Sequence, residues 1–239
     1  MLKKIVVTGG SGRFGLILKK VKTKHKLFFP NKKELNILNY ESIVKYIKKT
    51  NPKVLIHVAG LSRPMKIHET EIAKSIDLNI IGTSNITKAC AEKNIKLIYF
   101  STNYVYPGKK GNYNEKDSLY PVNNYAWSKL GGEAAVHLYN NSLILRICMT
   151  EKPFVHKAAF ANVKNNFIYQ EEVADILFSL LAEKGIINIG GKSQYIYNFA
   201  RKENNKVKKI YLKKKTNNGI PLDSSMNLFK LKKILNKKF

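Results

Sequence analysis

A doubly wound α/β fold, with helices on both faces of a parallel sheet, is what this sequence predicts, and three observations lead to it. Short β-branched apolar runs, of the kind a parallel sheet buries on both faces, recur at residues 4–8, 53–58, 96–101 and 143–147. Stretches with apolar residues at helical spacing separate them, so strand and helix alternate as in consecutive crossover units. The first run leads straight into Thr8-Gly9-Gly10-Ser11-Gly12-Arg13-Phe14-Gly15 and then Leu16, Ile17 and Leu18. That is a strand, a glycine turn and a helix in immediate succession.

A chain of 239 residues with 44% hydrophobic content has ample material for a core, as one large domain or one domain with a small appendage. Lys plus Arg number 43 against 16 Asp plus Glu, a net charge of +27. Such an excess suits nucleic acid, anionic membranes or phosphorylated ligands. The lysines are spread along the whole chain beside many Asn and Ile, as an A/T-rich genome would produce. The charge therefore predicts salt-sensitive adherence to polyanions, with no specific nucleic-acid partner. Cys90 and Cys148 have no metal-ligand spacing around them and read as reduced, buried thiols, so no metal is expected. The opening apolar run is too short for a signal peptide, and no stretch approaches the ~20 apolar residues of a membrane span. A soluble cytoplasmic protein with no membrane partner is expected.

Gly9, Gly12 and Gly15 stand three apart. That spacing lets the backbone turn tightly, admits a pyrophosphate at the helix N-terminus and lets helix and strand pack closely. A second strand is expected at residues 26–29. Folds that prefer NAD place a carboxylate after it to hold the ribose 2′-hydroxyl, whereas here Pro30-Asn31-Lys32-Lys33 follows, with Glu34 only after the lysines. Asn31 can donate to a ribose or phosphate oxygen, and Lys32, Lys33 or Arg13 can neutralise a 2′-phosphate, so NADP(H) is favoured over NAD(H).

Residues 35–38 read as a short edge strand and 40–49 as a helix with Ile43, Val44 and Ile47 on one face, stopped by Asn51-Pro52. The run at 53–58 ends in Ala59-Gly60, where a bulky side chain would block a cofactor. In the loop beyond, Arg63 is the candidate for an anionic ligand, with a solvent-exposed arginine as the alternative. His57, inside an apolar strand, reads as a core histidine with satisfied hydrogen bonds; His68 carries no signal. One long helix is expected over residues 69–93, with Ile72, Ile76, Ile80, Ile86 and Ala89 on its buried side. Asn79 lies inside it at a cost to helix stability. Hydrogen bonds to the strand ends or to a cofactor would account for that cost, as would an Asn-rich composition.

The run at 96–101 delivers Thr102 to the carboxyl end of a parallel strand, where ligands of open α/β sheets bind. Residues 107–121, rich in Gly, Pro, Asn and charge, are expected to form a surface loop over the site. A helix at 124–139 carries Tyr125 and Lys129 near its start, and 143–147 is the next strand. Residues 150–168 show little periodicity and read as a loop or flap offering Phe154, His156 and Phe160 to a pocket. A helix at 171–182, short strands at 185–191 and 208–212 and a helix at 226–235 complete the chain. Lysine clusters at 206–215 and 230–238 read as solvated faces with buried stems.

Tyr125 and Lys129 are four apart and so share one helix face. A free tyrosine titrates near 10, roughly three units too high for proton transfer at neutral pH, and a neighbouring ammonium stabilises its anion. Thr102 can supply a hydroxyl that orients a substrate oxygen toward the phenol. Alone, Tyr125 and Lys129 are also readable as helix-surface residues in a chain rich in both types.

The order TGGSGRFG, VAG, NIIGT, STNYVY and YAWSK resembles the extended short-chain dehydrogenase/reductase family over residues 1 to about 150, and weakly beyond. Within it, the stretch STNYVYPGKKGNYNEKDSLYPVNNYAWSKLGGE is similar to dTDP-4-dehydrorhamnose reductases and related nucleotide-sugar 4-ketoreductases. The resemblance implies a Rossmann-type NAD(P)-binding domain over residues 1–148 and a small, shortened substrate-binding region over 149–239 interleaved with it. It implies Thr102, Tyr125 and Lys129 as catalytic residues, with Lys129 also binding cofactor and lowering the tyrosine pKa. It places Gly9, Gly12, Arg13, Phe14, Gly15, Asn31, Lys32, Ala59, Gly60, Asn79 and Ser101 beside the cofactor, and Arg63, Asn103 and Tyr104 beside a nucleotide-sugar substrate.

The rhamnose reductases carry an acidic residue after the catalytic threonine, where this chain has Asn103, and the related dehydratases carry an acidic pair there. Dehydration is therefore not expected. Ala126 replaces the usual glycine after the tyrosine, and the segment after Arg146 is short. The expected activity is NADPH-dependent reduction of a nucleotide-linked 4-keto sugar in glycan biosynthesis, with a homodimer possible. The alternatives are an NAD-dependent 4-epimerase and a non-catalytic nucleotide-sensing or partner-binding protein of the same fold.

Overall fold

The computed structural model describes residues 2–213 and 219–236. Of the lysine clusters, Lys214, Lys215, Lys237 and Lys238 lie outside the described residues. The first half runs β1 (Lys4–Thr8), α1 (Arg13–Leu18), β2 (Lys26–Phe28), α2 (Tyr40–Thr50), β3 (Val54–His57), α3 (Ile67–Thr70), α4 (Ile72–Ile76), a π-helical turn (Asp77–Ile81) and α5 (Gly82–Glu92). Then come β4 (Lys96–Thr102), a 3-10 turn (Asn103–Val105), α6 (Asn124–His137), β5 (Ser142–Ile147), β6 (Met149–Thr150), β7 (Ala158–Phe160), β8 (Lys164–Asn165) and β9 (Ile168–Tyr169). The chain continues through α7 (Gln170–Leu177), β10 (Gly185–Ile189), β11 (Gln194–Tyr195), α8 (Ile196–Arg201), β12 (Lys208–Ile210) and α9 (Phe229–Asn236).

Among the described residues, six strands form one sheet in the order β10-β5-β4-β3-β1-β2, and every pairing is parallel. Alternate residues of each strand feed opposite cores, as a period of two requires. Ile5, Val7, Ile56 and Ile98 pack with Phe14 and Leu18 of α1, Val173 and Leu177 of α7, and Leu231 of α9. Val6, Leu55, Leu97 and Tyr99 pack with Ile43 and Ile47 of α2, Ile86 and Ala89 of α5, and Val136 of α6. This is the doubly wound, Rossmann-type architecture the apolar runs predicted. The chain winds one way from β1 to β2 and the other way from β3 onward, so strand order reverses between β1 and β3. Thr8 pairs with His57, His57 with Tyr99 and Thr102 with Ile147, which brings the carboxyl ends of four strands out side by side.

Residues 149–239 contribute β10 to this sheet and α7 and α9 to its core. Their other strands pair two by two, β11 with β8, β12 with β7 and β6 with β9. Phe154, Val163, Ile196, Phe199, Ala200 and Val207 form a separate small core there.

Several local expectations are corrected. Residues 35–38 are a turn and not an edge strand. The Asn36 carboxamide accepts the Leu38 N–H at 3.1 Å and the Ser42 hydroxyl accepts the Asn36 N–H at 3.0 Å, a local alternative to a strand ladder. The long helix expected over 69–93 breaks at Glu71 and then widens into the π-turn around Asn79. These interruptions rotate the expected buried face, so Ile72 and Ile76 are exposed while Ile86 and Ala89 are buried. Residues 107–121 meet β5 and β10 through Glu115, whose carbonyl accepts from Arg146 at 3.2 Å and whose carboxylate accepts the Asn188 N–H at 3.0 Å, and they are also tied to the segment around Ser225. Tyr113 stacks on Tyr106 at 4.9 Å and bonds the Ser225 backbone at 2.9 Å. No helix among the described residues is long and apolar enough to cross a membrane.

Candidate active site

At the switch between β1 and β3 lies a cleft of about 830 Å³, lined by the glycine turn, the loop after β3, the end of β4 and the start of α6. Gly9 takes φ +73°, and a Cβ there would meet the Ala59 nitrogen at 2.7 Å. A Cβ on Gly15 would meet the Gly9 carbonyl oxygen at 2.3 Å. Turn, helix and β3 therefore approach more closely than any side chain permits, and the cleft opens onto bare backbone.

Thr102 ends β4 and is 5% exposed. Its oxygen accepts the Tyr104 N–H at 3.2 Å, and its hydroxyl stands near enough to the Tyr125 phenol, in the same cleft, to lower that phenol's pKa. Tyr125 lies in the first turn of α6, whose start is set by Asn123, its carboxamide oxygen accepting the Ala126 N–H at 2.8 Å. Burial raises the phenol's pKa, while the Thr102 hydroxyl and the Arg63 charge pull it back. Lys129 follows one turn on, its ammonium 4.2 Å from the centre of the Tyr99 ring. Burial brings Lys129 down to about 7, opposed by the negative charge of Glu133.

Gly9, Gly12, Arg13, Phe14, Gly15, Ala59, Gly60, Ser101, Arg63, Asn103 and Tyr104 also line the cleft. Two of these have their side-chain polar groups engaged elsewhere. The Ser101 hydroxyl donates to Glu133 at 2.5 Å. The Asn103 amide donates to Asn165 at 2.8 Å and to the Ser224 hydroxyl at 2.9 Å, joining the end of β4 to the C-terminal segment. Asn79, Asn31 and Lys32 are not part of the lining. Asn79 stands behind it, pairing with both backbone groups of Leu61 at 2.7 and 2.9 Å and donating to Ser128 at 2.8 Å. Ser128 in turn donates to the Tyr125 carbonyl, so Asn79 braces the turn that carries the tyrosine. Asn31 closes a turn on itself: its carboxamide accepts the Lys33 and Glu34 N–H groups, and the Glu34 carboxylate accepts the Asn31 N–H at 2.9 Å. That puts a carboxylate back at the end of β2 beside the lysines. His57 bonds Thr8 and Thr83 at 2.8 and 3.2 Å, the satisfied core histidine expected of it. Of the aromatic and histidine side chains expected in the flap, His156 reaches the cleft, whereas Phe154 and Phe160 belong to the small core.

Three residues escaped the sequence reading. His68 is buried with its ring 5.1 Å from that of Tyr125, fixed by a 2.7 Å contact to Ser75. Glu133, four residues after Lys129 on α6, forms a buried ion pair with Arg146 at 2.6 Å. Its i+4 spacing to the lysine was the available signal. Glu151 enters the cleft from beyond β6 and meets Arg63 at 2.8 Å and Arg13 at 3.4 Å, with no spacing pattern to announce it.

The family model for the RmlD substrate binding domain matches residues 3–167. Methionine adenosyltransferase 2 subunit beta of Rattus norvegicus is 31% identical over 156 residues, 61% of this chain and 46% of that protein. A dTDP-4-dehydrorhamnose reductase of Aggregatibacter actinomycetemcomitans is 27% identical over 172 residues, 70% of this chain and 55% of that one. The chain thus spans about half the length of the curated relatives it matches. In shape it is similar to the dTDP-4-dehydrorhamnose reductase of Bacillus anthracis str. Ames, solved in complex with NADP. The TM-score is 0.86 at 21% identity, covering 99% of this chain and 93% of that one.

Proposed function

The chain belongs to the RmlD substrate binding domain family, and on that premise we propose that it is an NAD(P)H-dependent reductase of the 4-keto group of a nucleotide-linked deoxysugar. The observation that carries this is the convergence of Thr102, Tyr125 and Lys129 on one cleft with the glycine turn. The glycine turn fits a dinucleotide, because the positions where a Cβ would intrude are glycines. A reduced nicotinamide supplies hydride to the carbonyl carbon when bound.

The chain's own residues do the rest. Tyr125 donates its phenolic proton to the oxygen that becomes an alkoxide, and Thr102 stabilises the phenolate left behind by keeping its O–H pointed at it. Lys129, which lines the cleft one turn on, would hold a ribose hydroxyl of the cofactor. Arg63 lies close enough to lower the phenol's pKa, and so assists the same step. Lys32 and Lys33 support NADPH over NADH through the extra phosphate; Glu34 at the same turn works against it.

A screen of nucleotide-linked 4-keto sugars with NADPH and NADH, following nicotinamide absorbance, tests this; stoichiometric consumption of cofactor also separates a reductase from an epimerase. One observation favours a second reading, that of a partner-binding protein: a relative 31% identical is named as a subunit of another enzyme. Dinucleotide binding without turnover on any keto sugar would favour it.

A further inference from the structure

Glu151 comes from the segment beyond the last crossing of β5, yet its carboxylate sits in the cleft between two arginines from other parts of the chain. Arg13 belongs to the glycine turn and Arg63 to the loop after β3. Both reach the same carboxylate oxygen, Arg63 at 2.8 Å and Arg13 at 3.4 Å. The other oxygen is buried, and no donor among the described residues reaches it.

That arrangement holds itself together weakly. A single oxygen shared by two cations forgoes the bidentate geometry that makes arginine–carboxylate pairs strong. The arginine side chains are 49% and 37% exposed, so solvent screens both contacts. A buried oxygen without a donor is a further cost of staying closed. Two guanidiniums that converge on one point are better matched by a group with more charge and more acceptor oxygens. A diphosphate has both, and its several oxygens can give each arginine a fork of its own.

We propose that Arg13 and Arg63 form a divided diphosphate seat, and that Glu151 is its built-in occupant, displaced when the diphosphate of a nucleotide ligand binds. The inference deepens the reductase reading, from which it takes the nucleotide class of ligand. Glu151 then sets a threshold: anions too weak to outcompete a carboxylate stay out.

The test uses inorganic pyrophosphate as probe, its affinity measured by calorimetry at fixed ionic strength. The proteins are the wild type, Glu151→Gln, Glu151→Ala, the double variant Arg13→Gln/Arg63→Gln, and that double variant with Glu151→Gln. Both Glu151 variants are expected to bind pyrophosphate about three- to tenfold more tightly than wild type, the range two screened ion pairs permit. The gain is expected to vanish when the arginines are absent, which separates it from general attraction to a chain of charge +27. Equal or weaker binding by the Glu151 variants, or a gain that persists without the arginines, overturns the proposal. No turnover is involved: an inactive protein that shows the gain keeps the seat and loses the reductase reading, and an active reductase without the gain does the reverse.

Discussion

The Glu133 carboxylate lies 2.6 Å from the Arg146 guanidinium, with both side chains almost wholly buried behind the cleft. Arg146 also donates through Nε at 3.0 Å, and Ser101 donates to the second carboxylate oxygen. The pair joins α6 to β5 directly beneath Lys129. Removing one partner leaves the other charge buried and unpaired. Glu133→Ala is therefore expected to cost about 3–5 kcal/mol in urea unfolding, far more than loss of an exposed pair such as Lys74 with Glu71.

His57 reports on pH. Its burial between Thr8 and Thr83 lowers its pKa to about 3, against 6.5 in the unfolded chain. Between those values the unfolded state binds a proton that the folded state refuses, so stability falls as pH drops through that window and is independent of His57 above it. The wild type is expected to lose up to about 1.4 kcal/mol per pH unit more than His57→Gln in that range. Urea titrations of both proteins at several pH values check this, since the contribution of the carboxylates cancels in the difference.

Gly15→Ala tests the glycine turn. Its Cβ would stand 2.3 Å from the Gly9 oxygen, a backbone atom that cannot swing aside. Helix α1 must then move away from the turn, at about 1–3 kcal/mol of stability. NADPH affinity, followed by fluorescence of the bound nicotinamide, is expected to fall at least about tenfold as the turn loses its shape.

Much of this was legible in the sequence wherever one physical cause acted alone. Strands buried on both faces read as unbroken apolar runs, and the close packing at Gly9 and Gly15 demanded glycine, so β1, β3, β4, β5 and the turn stood out. Thr102, Tyr125 and Lys129 could be paired because a strand end and a helix start are short-range features. What failed depended on partners distant in sequence or on side chains competing with backbone. Residues 35–38 look like a strand by composition, but Asn36 and Ser42 capture the backbone locally. The helix over 69–93 looked continuous because nothing local announces that Asn79 will bond Leu61 and Ser128. Arg63 was legible as a candidate for an anionic ligand or as a solvent-exposed arginine; that Glu151, 88 residues later, would meet it was not.

The most direct measurement is turnover by Tyr125→Phe. The substitution deletes the phenolic oxygen and leaves the ring that packs against His68, so the protein should fold and bind NADPH with affinity unchanged within about twofold. With a nucleotide-linked 4-keto sugar identified in the screen, cofactor oxidation is expected to fall by about a hundredfold or more, the loss of a positioned proton donor. A Phe variant that oxidises NADPH at the wild-type rate would contradict the account.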